Sequence, residues 1–363
     1  MNRIIFLIDL DYFYAQCEQN RKPELKGKPL VICMFSGRTE TSGAVATCNY
    51  EARALGIHSA QPIFLAKKYA NAETTFLQAD REYYTEISNQ VMQIFAKHAD
   101  ILEQVSIDEA YLDETKKCNE NFKKAEELAK QIKKELLQEL QLTCSIGVSS
   151  NKLVAKIAAG TKKPDGLTTI KPEEIRAFLN PLKVEKLHGV GEVTTKKLNS
   201  LEVFTVQELS KFPVHNLVQV FGENKAKLLH EKSLGIDDSL VEETKEKQQL
   251  NTIGTLKADS NSFEEIDSQL RDFSRKLIDR VHEKNIFFKT VSIILITTKL
   301  ETLTRSKTLE KETNELNELI KVSESLLKDF LAQNPEIKLR RFGVRVGNFV
   351  EQTKQKSLFE FGN

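Results

Sequence analysis

The pattern of apolar residues changes twice along this chain, and these changes limit the folds it can form. Strand-like and helix-like segments alternate up to about residue 170, and short helices punctuated by Gly and Pro follow from 172 to about 236. Strands and helices alternate again from about residue 252. The chain has 363 residues, whereas an ordinary domain has ~100–200. The pattern predicts an α+β multidomain protein rather than one compact module.

Continuous runs of β-formers predict the strands, and apolar residues spaced three or four apart predict the helices. In the first part we expect a helix over Tyr12–Asn20, a second one over 122–140, and strands at Ile4–Ile8, Leu30–Phe35, Ala44–Thr47, Thr74–Leu77, Leu102–Ser106, Ala110–Asp113, Cys144–Val148 and Leu167–Ile170. In the last part we expect helices at about 262–283 and 312–332 and strands at Thr252–Ala258, Thr290–Thr297 and Arg341–Val346. The polar segment 237–250 carries almost no large apolar residue, which predicts a linker.

The overall charge gives no sign of an anionic partner. Lys and Arg number 53 against 52 Asp and Glu, for a net charge of +1. Taken alone, this balance argues against a nucleic acid partner, because no global field attracts phosphate.

The cysteines and apolar runs indicate the cellular setting. The five cysteines show no C-x-x-C spacing, so neither a disulfide framework nor a zinc knuckle is indicated. The apolar run 291–297 is far shorter than the ~18–20 residues that cross a bilayer. The first strand meets Asp9 too soon for a signal peptide. We expect a reducing, cytoplasmic location and no membrane partner.

Two acidic clusters stand at the ends of predicted strands. Asp9 and Asp11 follow the first strand, and Asp108 and Glu109 lie in the turn of a predicted hairpin. If the two strands are neighbours, Asp9, Asp108 and Glu109 converge, and three carboxylates need a compensating cation. Mg²⁺ suits oxygen ligands, and two such ions would activate a hydroxyl and stabilise a leaving phosphate oxygen. The competing interpretation is a polar hairpin turn and a helix N-cap pair.

Four longer motifs carry a family resemblance. In chain order they are Ile8-Asp-Leu-Asp-Tyr-Phe-Tyr-Ala-Gln16, Ala46-Thr-Cys-Asn-Tyr-Glu-Ala-Arg53, Ser106-Ile-Asp-Glu-Ala-Tyr-Leu-Asp113 and Ser145-Ile-Gly-Val-Ser-Ser-Asn-Lys-Leu-Val-Ala-Lys-Ile-Ala-Ala159. In this order and spacing they resemble the Y-family DNA polymerases, most closely the DNA polymerase IV branch in its archaeal form. The resemblance extends over essentially the whole chain.

The resemblance implies a right-hand polymerase with a ferredoxin-like palm, small fingers, a helical thumb with a helix-hairpin-helix, and an α+β little finger. Its domains would be the palm at 1–11 and 78–170, the fingers at 12–77, the thumb at 171–236, the linker at 237–250, the little finger at 251–350 and a clamp-binding tail at 351–363.

The resemblance also implies the catalytic centre. Asp9 and Asp108 match the metal-ligand aspartates, the Leu10 carbonyl assists them, and Glu109 matches the third carboxylate beside the primer end. Two Mg²⁺ ions per active site are implied. For Asp11 two roles stay open, a helix cap and a metal contact.

A nucleotide pocket is implied beside these acids. Tyr14 matches the steric gate, an aromatic wall that leaves no room for a ribose 2′-hydroxyl. The alternative is an aromatic facing the core, which we expect of Phe13. Thr47, Tyr50, Arg53 and Lys163 match the residues that hold the triphosphate, in keeping with the bidentate bonds of Arg and the mobile charge of Lys. Taken singly, each would be an ordinary surface residue.

Two segments are expected to hold DNA. Gly189, Gly191 and Lys196 lie in a helix-hairpin-helix pattern whose backbone N–H groups could meet a phosphate, although a plain turn between helices has the same look. Arg340, Arg341 and Arg345 decorate a strand whose other face is apolar, as in a sheet lying on a phosphate backbone. Solubility of an edge strand is the alternative.

The C-terminal residues Gln355, Leu358, Phe359 and Phe361 resemble a sliding-clamp-binding peptide, and a sticky terminus is the alternative. Whether the bacterial or the archaeal type of clamp fits stays open.

The hypothesis from sequence is a monomeric enzyme for error-prone translesion DNA synthesis, taking part in DNA repair. It transfers a nucleotide from a dNTP to the 3′-hydroxyl of primer-template DNA, releases pyrophosphate and has no proofreading exonuclease. One rival is a catalytically silent, DNA-binding scaffold tethered to the clamp, which intact acids disfavour. A nucleotidyl cyclase on a similar palm is another, but it would not need the basic last domain or the tail.

Overall fold

The computed structural model describes residues 3–243 and 248–351. The described residues form two compact units: 3–33, 45–61 and 65–243 make the first, and 34–44, 62–64 and 248–351 the second. Within the described ranges, no helix is long and apolar enough to span a membrane.

The first unit is built around a five-stranded sheet. The elements up to residue 169 are β1 (Ile5–Leu10), α1 (Phe13–Arg21), β2 (Leu30–Phe35), β3 (Gly43–Cys48), α2 (Tyr50–Ala54), α3 (Ile63–Tyr69), β4 (Thr75–Gln78), α4 (Arg81–His98), β5 (Ile101–Gln104), β6 (Glu109–Asp113), α5 (Thr115–Cys118), α6 (Phe122–Leu140), β7 (Cys144–Ser149), α7 (Lys152–Ala159) and β8 (Leu167–Thr169). The sheet order is β5-β6-β1-β7-β8, and the smaller sheet has the order β3-β2-β4. All the strands expected here are confirmed, with ends shifted by one or two residues.

The central strand β1 carries the buried run Ile5–Ile8 and is antiparallel to both β6 and β7. The long helix α6 begins after Asn121, whose side chain accepts hydrogen bonds from two backbone N–H groups of the first turn. Its buried stripe of Ala125, Ala129, Ile132 and Leu136 belongs to the same apolar core as β1. Strand β1 has a neighbour on both sides and is largely buried, and Asp9 lies near its C-terminal end. Rigid structure therefore holds this acid in place.

The region from 175 to 233 is all-helical, as expected. Its helices are α8 (Ile175–Leu179), α9 (Glu192–Asn199), α10 (Val206–Lys211), α11 (Val214–Phe221) and α12 (Glu223–Ser233). They bury a separate apolar cluster that includes Leu179, Leu198 and Leu217.

The second unit contains a four-stranded antiparallel sheet with the order β11-β10-β12-β9. Its elements are β9 (Gln249–Ser260), α13 (Phe263–Glu283), β10 (Ile286–Thr297), β11 (Thr302–Thr313), α14 (Leu316–Gln333) and β12 (Leu339–Glu351). The two helices and the sheet share one core, with Leu270 and Leu327 among the buried residues.

In the second unit, two expectations from sequence differ from the structure. Strand β11 was not predicted, and the helix expected from about 312 begins at Leu316 instead. Most of β11 is exposed and rich in Thr, Lys and Glu, as suits an edge strand, so it lacks the apolar run that marks a buried one.

The segment 237–250 is not a free tether over its described length. Val241 is only 4% exposed and packs with Ile5, Leu7 and Tyr111. The Asp237 carboxylate accepts from the backbone N–H of Leu153 at 2.9 Å. At the other end, the chain is already in β9 from Gln249. One buried valine and side chain–backbone bonds hold residues 237–243 on the first unit, which a polar composition does not reveal.

Candidate active site

A cavity of about 320 Å³ lies in the first unit where the end of β1 approaches β3 and α2. Eight residues singled out in the sequence line it: Asp9, Leu10, Tyr14, Thr47, Tyr50, Arg53, Asp108 and Lys163. Residues as far apart in the chain as Asp9 and Lys163, 154 positions, therefore meet at one site.

Strand pairing brings the acids together. Asp9 lies opposite Glu109 in the register of β1 and β6, and the backbone N–H of Leu10 donates to the Asp108 carbonyl at 2.9 Å. Asp108 lies in the turn between β5 and β6, as expected, whereas Glu109 is the first residue of β6. The two aspartates line the cavity and Glu109 stands just outside the lining.

Lysines accompany these carboxylates. Lys163 Nζ donates to Asp9 Oδ1, and Lys156 Nζ donates to Glu109 Oε1 at 2.5 Å. Asp108 Oδ1 accepts from the Ser106 hydroxyl at 2.6 Å. Burial raises the pKa of Asp9 above its ordinary value, Lys163 lowers it, and the charges of Asp108 and Glu109 raise it again. The site thus concentrates negative charge that the lysines only partly compensate.

Across the described ranges, no three His, Cys, Asp or Glu side chains lie close enough together to hold a metal ion. Strand pairing brings the acids to one end of the sheet as expected, and ammonium groups meet the carboxylates of Asp9 and Glu109. The donor chemistry still fits a hard divalent cation, since the cavity offers carboxylate and carbonyl oxygens at a site where burial disfavours an uncompensated charge.

Tyr14 lines the cavity together with Asp108. Its ring stacks on Tyr84, with centroids 4.3 Å apart and planes at 14°. Tyr84 is fully buried and its hydroxyl donates to Glu18 Oε1 at 3.0 Å, so the Tyr14 ring rests on a fixed support. Phe13 is 2% exposed and belongs to the core, as expected.

Helix α2 presents the basic side of the cavity. Its N-cap is Asn49, which accepts from the backbone N–H of Ala52. The Arg53 guanidinium lies 4.7 Å from the ring centroid of Tyr50, and its Nε donates to the Cys48 carbonyl at 3.2 Å. These contacts hold Arg53 in place, and its remaining N–H groups face a cavity that is also lined by acids. An anion bound in the cavity would lie between this guanidinium and the acids.

Of the two roles left open for Asp11, the helix cap is not seen. Helix α1 begins at Phe13 behind Tyr12, whose left-handed φ of 36° separates Asp11 from the first helical N–H groups. The Asp11 side chain is 1% exposed and accepts hydrogen bonds from Thr143, Ser145 and Asp165.

The glycine-rich hairpin between helices is present. Gly189 has φ of +88°, a conformation that glycine adopts readily, and Gly191 is the N-cap of α9. Lys196 is exposed on that helix and pairs with Glu192 at 2.6 Å.

The three arginines of β12 do not share one face. Phe342, Val344 and Val346 are buried, as expected, and Arg341 is exposed on the opposite face. A register shift between Leu339 and Arg341 takes Arg340 out of this alternation. The Arg340 guanidinium pairs with Asp259 at 2.9 Å, and this bond, together with the pair that Arg38 makes with the same carboxylate, lowers the pKa of Asp259 to about 2.

The predicted clamp-binding residues Gln355, Leu358, Phe359 and Phe361 lie outside the described residues.

Sequence reasoning missed several residues of the site. Tyr12 and Ser59 line the cavity, and Lys156 binds Glu109. Two signals for Lys156 were available: its place in the fourth quoted motif, and its place on the helix after β7, the strand next to β1. Tyr12 and Ser59 are of types too common on surfaces to single out.

Family models match most of the chain. The impB/mucB/samB family matches residues 8–160, its C-terminal domain matches 247–358, and the thumb domain of DNA polymerase-iota matches 185–237.

Full-length relatives and solved structures are also similar. DNA polymerase IV of Methanosarcina acetivorans is 41% identical over 99% of this chain and 100% of its own length. DNA polymerase IV of Nitrosopumilus maritimus is 40% identical over 99% of both chains. The solved Y-family DNA polymerase chimera Dbh-Dpo4(243-245)-Dbh aligns with a TM-score of 0.89 at 36% identity, covering 96% of this chain and 99% of that one. An insertion ternary complex of Dbh DNA polymerase aligns with a TM-score of 0.70 at 34% identity and the same coverage.

Proposed function

The chain belongs to the Y-family DNA polymerases, in the DNA polymerase IV branch, and from this premise we propose how its residues carry out the reaction. It is a DNA-directed DNA polymerase of the translesion type, with the palm, helix-hairpin-helix thumb and little finger of that fold. The observation that supports the proposal best is the cavity that gathers eight predicted residues, seven from three separate motifs together with Lys163.

The family uses divalent metal ions. We propose that Asp9, Asp108, Glu109 and the Leu10 carbonyl of this chain hold two Mg²⁺ ions, because these are hard oxygen donors at a buried, negatively charged edge. When bound, such a pair supplies charge for activating the primer 3′-hydroxyl and stabilising the leaving pyrophosphate. Lys163 and Lys156 would then be free to leave the carboxylates that they meet here.

The opposite wall binds the triphosphate of the dNTP. Arg53, held by the Cys48 carbonyl and the Tyr50 ring, offers its remaining N–H groups to phosphate oxygens. Thr47 and Tyr50 add hydroxyl donors, and Lys163 adds a mobile positive charge. Phosphoryl transfer depends chiefly on such positioning and charge neutralisation.

Tyr14 acts as the gate against ribonucleotides. Its ring lines the cavity and is backed by the buried Tyr84, so it cannot withdraw in that direction. A 2′-hydroxyl approaching a supported ring meets van der Waals repulsion, whereas a deoxyribose does not.

Primer-template DNA and dNTPs are the partners. From the thumb, the DNA backbone is contacted by Gly189, Gly191 and Lys196. From the little finger it is contacted by Arg341 and Arg345, and also by Arg340, which pairs with Asp259 at the same time. The tail 351–363 binds a sliding clamp. The enzyme works as a monomer in the cytoplasm. Its domains keep the boundaries expected from sequence, except that residues 237–243 are part of the first unit and residues 34–44 and 62–64 are part of the second.

Primer extension tests the proposal. Purified enzyme with Mg²⁺, the four dNTPs and a primed template should extend the primer on undamaged DNA and past an abasic site. Asp108→Ala should lower the rate of incorporation by at least about 10²–10³-fold, the loss seen when a group that stabilises transition-state charge is removed. Glu127→Ala, at an exposed position of α6, is the matched control and should extend normally. Failure of the wild type on both templates, or full activity of Asp108→Ala, would reject the proposal and favour the silent scaffold.

A further inference from the structure

Asp11 has the most completely bound carboxylate near the cavity, although it does not line it. It stands between two lining residues, Leu10 and Tyr12, and is 1% exposed. Its Oδ1 accepts from the Ser145 hydroxyl at 2.8 Å, and its Oδ2 accepts from the Thr143 hydroxyl at 3.0 Å. Because burying a carboxylate without donors is costly, these partners make a site that is built to hold one.

The third donor to Asp11 comes from the loop that carries Lys163. The backbone N–H of Asp165 donates to Oδ2 at 2.8 Å. This loop joins the end of α7 to the start of β8 and includes residues 160–166. Asp165 has a left-handed φ of 56°, a conformation that is uncommon for non-glycine residues and that aspartate adopts more readily than most.

The loop backbone is therefore held at Asp165, and the Lys163 side chain extends from it toward the cavity. Two residues before Asp165, the Lys163 ammonium reaches Asp9 in the cavity. The other contacts of Asp165 differ in kind, since its own carboxylate is 61% exposed and pairs with Lys133 at 2.6 Å. Asp11 supplies a fully buried acceptor, whereas the carboxylate in the Lys133 pair is largely exposed to water, which weakens an ion pair.

We propose that Asp11 is a positioning residue: it holds the backbone at Asp165 and so places the Lys163 ammonium at the triphosphate. The inference rests on the role proposed above for Lys163. A metal contact by Asp11 would need an oxygen that faces the cavity, but both oxygens are bound to donors on the sheet and loop side. An anchor of this kind lowers the conformational entropy that a flexible lysine loses when it binds phosphate.

A double-mutant cycle on single-nucleotide incorporation tests the proposal. Asp11→Ala should raise the KM for dNTP by about tenfold while changing kcat much less, the signature of lost substrate binding. Primer-template affinity, measured separately by fluorescence anisotropy, should stay within about twofold. The Asp11→Ala/Lys163→Ala double variant should be no worse than Lys163→Ala alone, because the anchor has no effect once the lysine is absent. Multiplicative effects of the two substitutions would overturn the inference.

Two further variants separate positioning from folding. Asp11→Asn keeps an oxygen that can accept from the Asp165 N–H and should restore the KM to within about threefold of wild type. Thr143→Val removes another donor to the same carboxylate but leaves the loop bond, so it is the matched control and should leave the KM unchanged. If Asp11→Asn has the same defect as Asp11→Ala, the acceptor oxygen is not what matters and the inference fails.

Hydrogen exchange provides a readout that does not depend on activity. In Asp11→Asn the Asp165 amide should stay protected, and in Asp11→Ala its exchange should be at least about tenfold faster, since it loses its acceptor. Equal protection in Asp11→Ala and wild type would contradict the proposal. A normal KM for Lys163→Ala would refute the role of Lys163 in the proposed function, and the inference would fail with it. If Lys163→Ala raises the KM but its effect multiplies with that of Asp11→Ala in the double variant, only the inference is refuted.

Discussion

A buried acid away from the cavity should make the stability of this protein depend on pH. Glu114 follows β6 and is fully buried, and neither of its carboxylate oxygens has a hydrogen-bond partner. Burial raises its pKa from an ordinary value of 4.5 to about 8; Lys117 opposes the shift, and Asp100 and Asp113 add to it. Between these two pKa values the folded chain keeps a proton that the unfolded chain has released.

The sign and size of the effect follow from this difference. Below pH 4.5 Glu114 is protonated in both the folded and the unfolded chain, so it does not lower the free energy of unfolding. From pH 4.5 to 8 the free energy of unfolding falls, and above pH 8 this decrease is complete. A pKa unit is worth about 1.4 kcal/mol, so the full shift corresponds to about 4–5 kcal/mol as an upper bound. Because local relaxation takes up part of such a penalty, we expect about 2–4 kcal/mol in practice.

Urea unfolding of Glu114→Gln at pH 5, 6.5 and 8 measures this effect. Glutamine has no charge at any of these values, so its advantage over wild type should grow as the pH rises. Far-UV circular dichroism is the suitable probe, because the chain has no tryptophan. Glu127→Gln, which makes the same change of charge at an exposed position, is the control and should leave the pH dependence as in wild type. A constant difference between Glu114→Gln and wild type from pH 5 to 8 would refute the reasoning.

Three further predictions concern the cavity, the DNA contacts and the tail. Tyr14→Ala should accept rNTPs at least about tenfold better relative to dNTPs in competition assays, because the wall against the 2′-hydroxyl is removed; unchanged selectivity would reject the gate. Arg341→Ala should reduce the slope of log affinity against log salt for primer-template DNA by about 1, and an unaltered slope would mean that it contacts no phosphate. Deleting residues 355–363 should abolish stimulation of synthesis by a sliding clamp and spare basal synthesis, whereas persistent stimulation would exclude the tail.

The elements that the sequence revealed are those with buried periodic faces. Ile4, Phe6 and Ile8 share one core with the stripe on α6, and Ile5 and Leu7 are buried on the other face of the strand. A continuous apolar run therefore locates the strand, and periodicity locates the helix. Strand β11 was missed because an exposed edge strand has little apolar pattern. The anchoring of residues 237–243 was missed because it depends on one buried side chain, Val241, and on backbone hydrogen bonds that composition does not encode.

The residues of the cavity were predictable from motifs, but their partners were not. Asp9, Tyr14, Arg53 and Asp108 lie together because strand pairing and helix placement bring their segments to one edge. The bond from Asp165 to Asp11 comes from a loop more than 150 residues away, and the register shift that turns Arg340 toward Asp259 is a local irregularity of pairing. Such contacts depend on three-dimensional geometry that single-residue patterns do not carry.

The central claim is that the carboxylates near the end of β1 and at the start of β6 bind two metal ions for nucleotide transfer. Counting ions in the complex with chain-terminated primer-template DNA and dNTP, by Mn²⁺ titration followed with electron paramagnetic resonance, tests this claim most directly. We predict two bound ions per wild-type chain and fewer in Asp108→Ala, with Glu127→Ala unchanged. Fewer than two ions in wild type, or two in Asp108→Ala, would contradict the account.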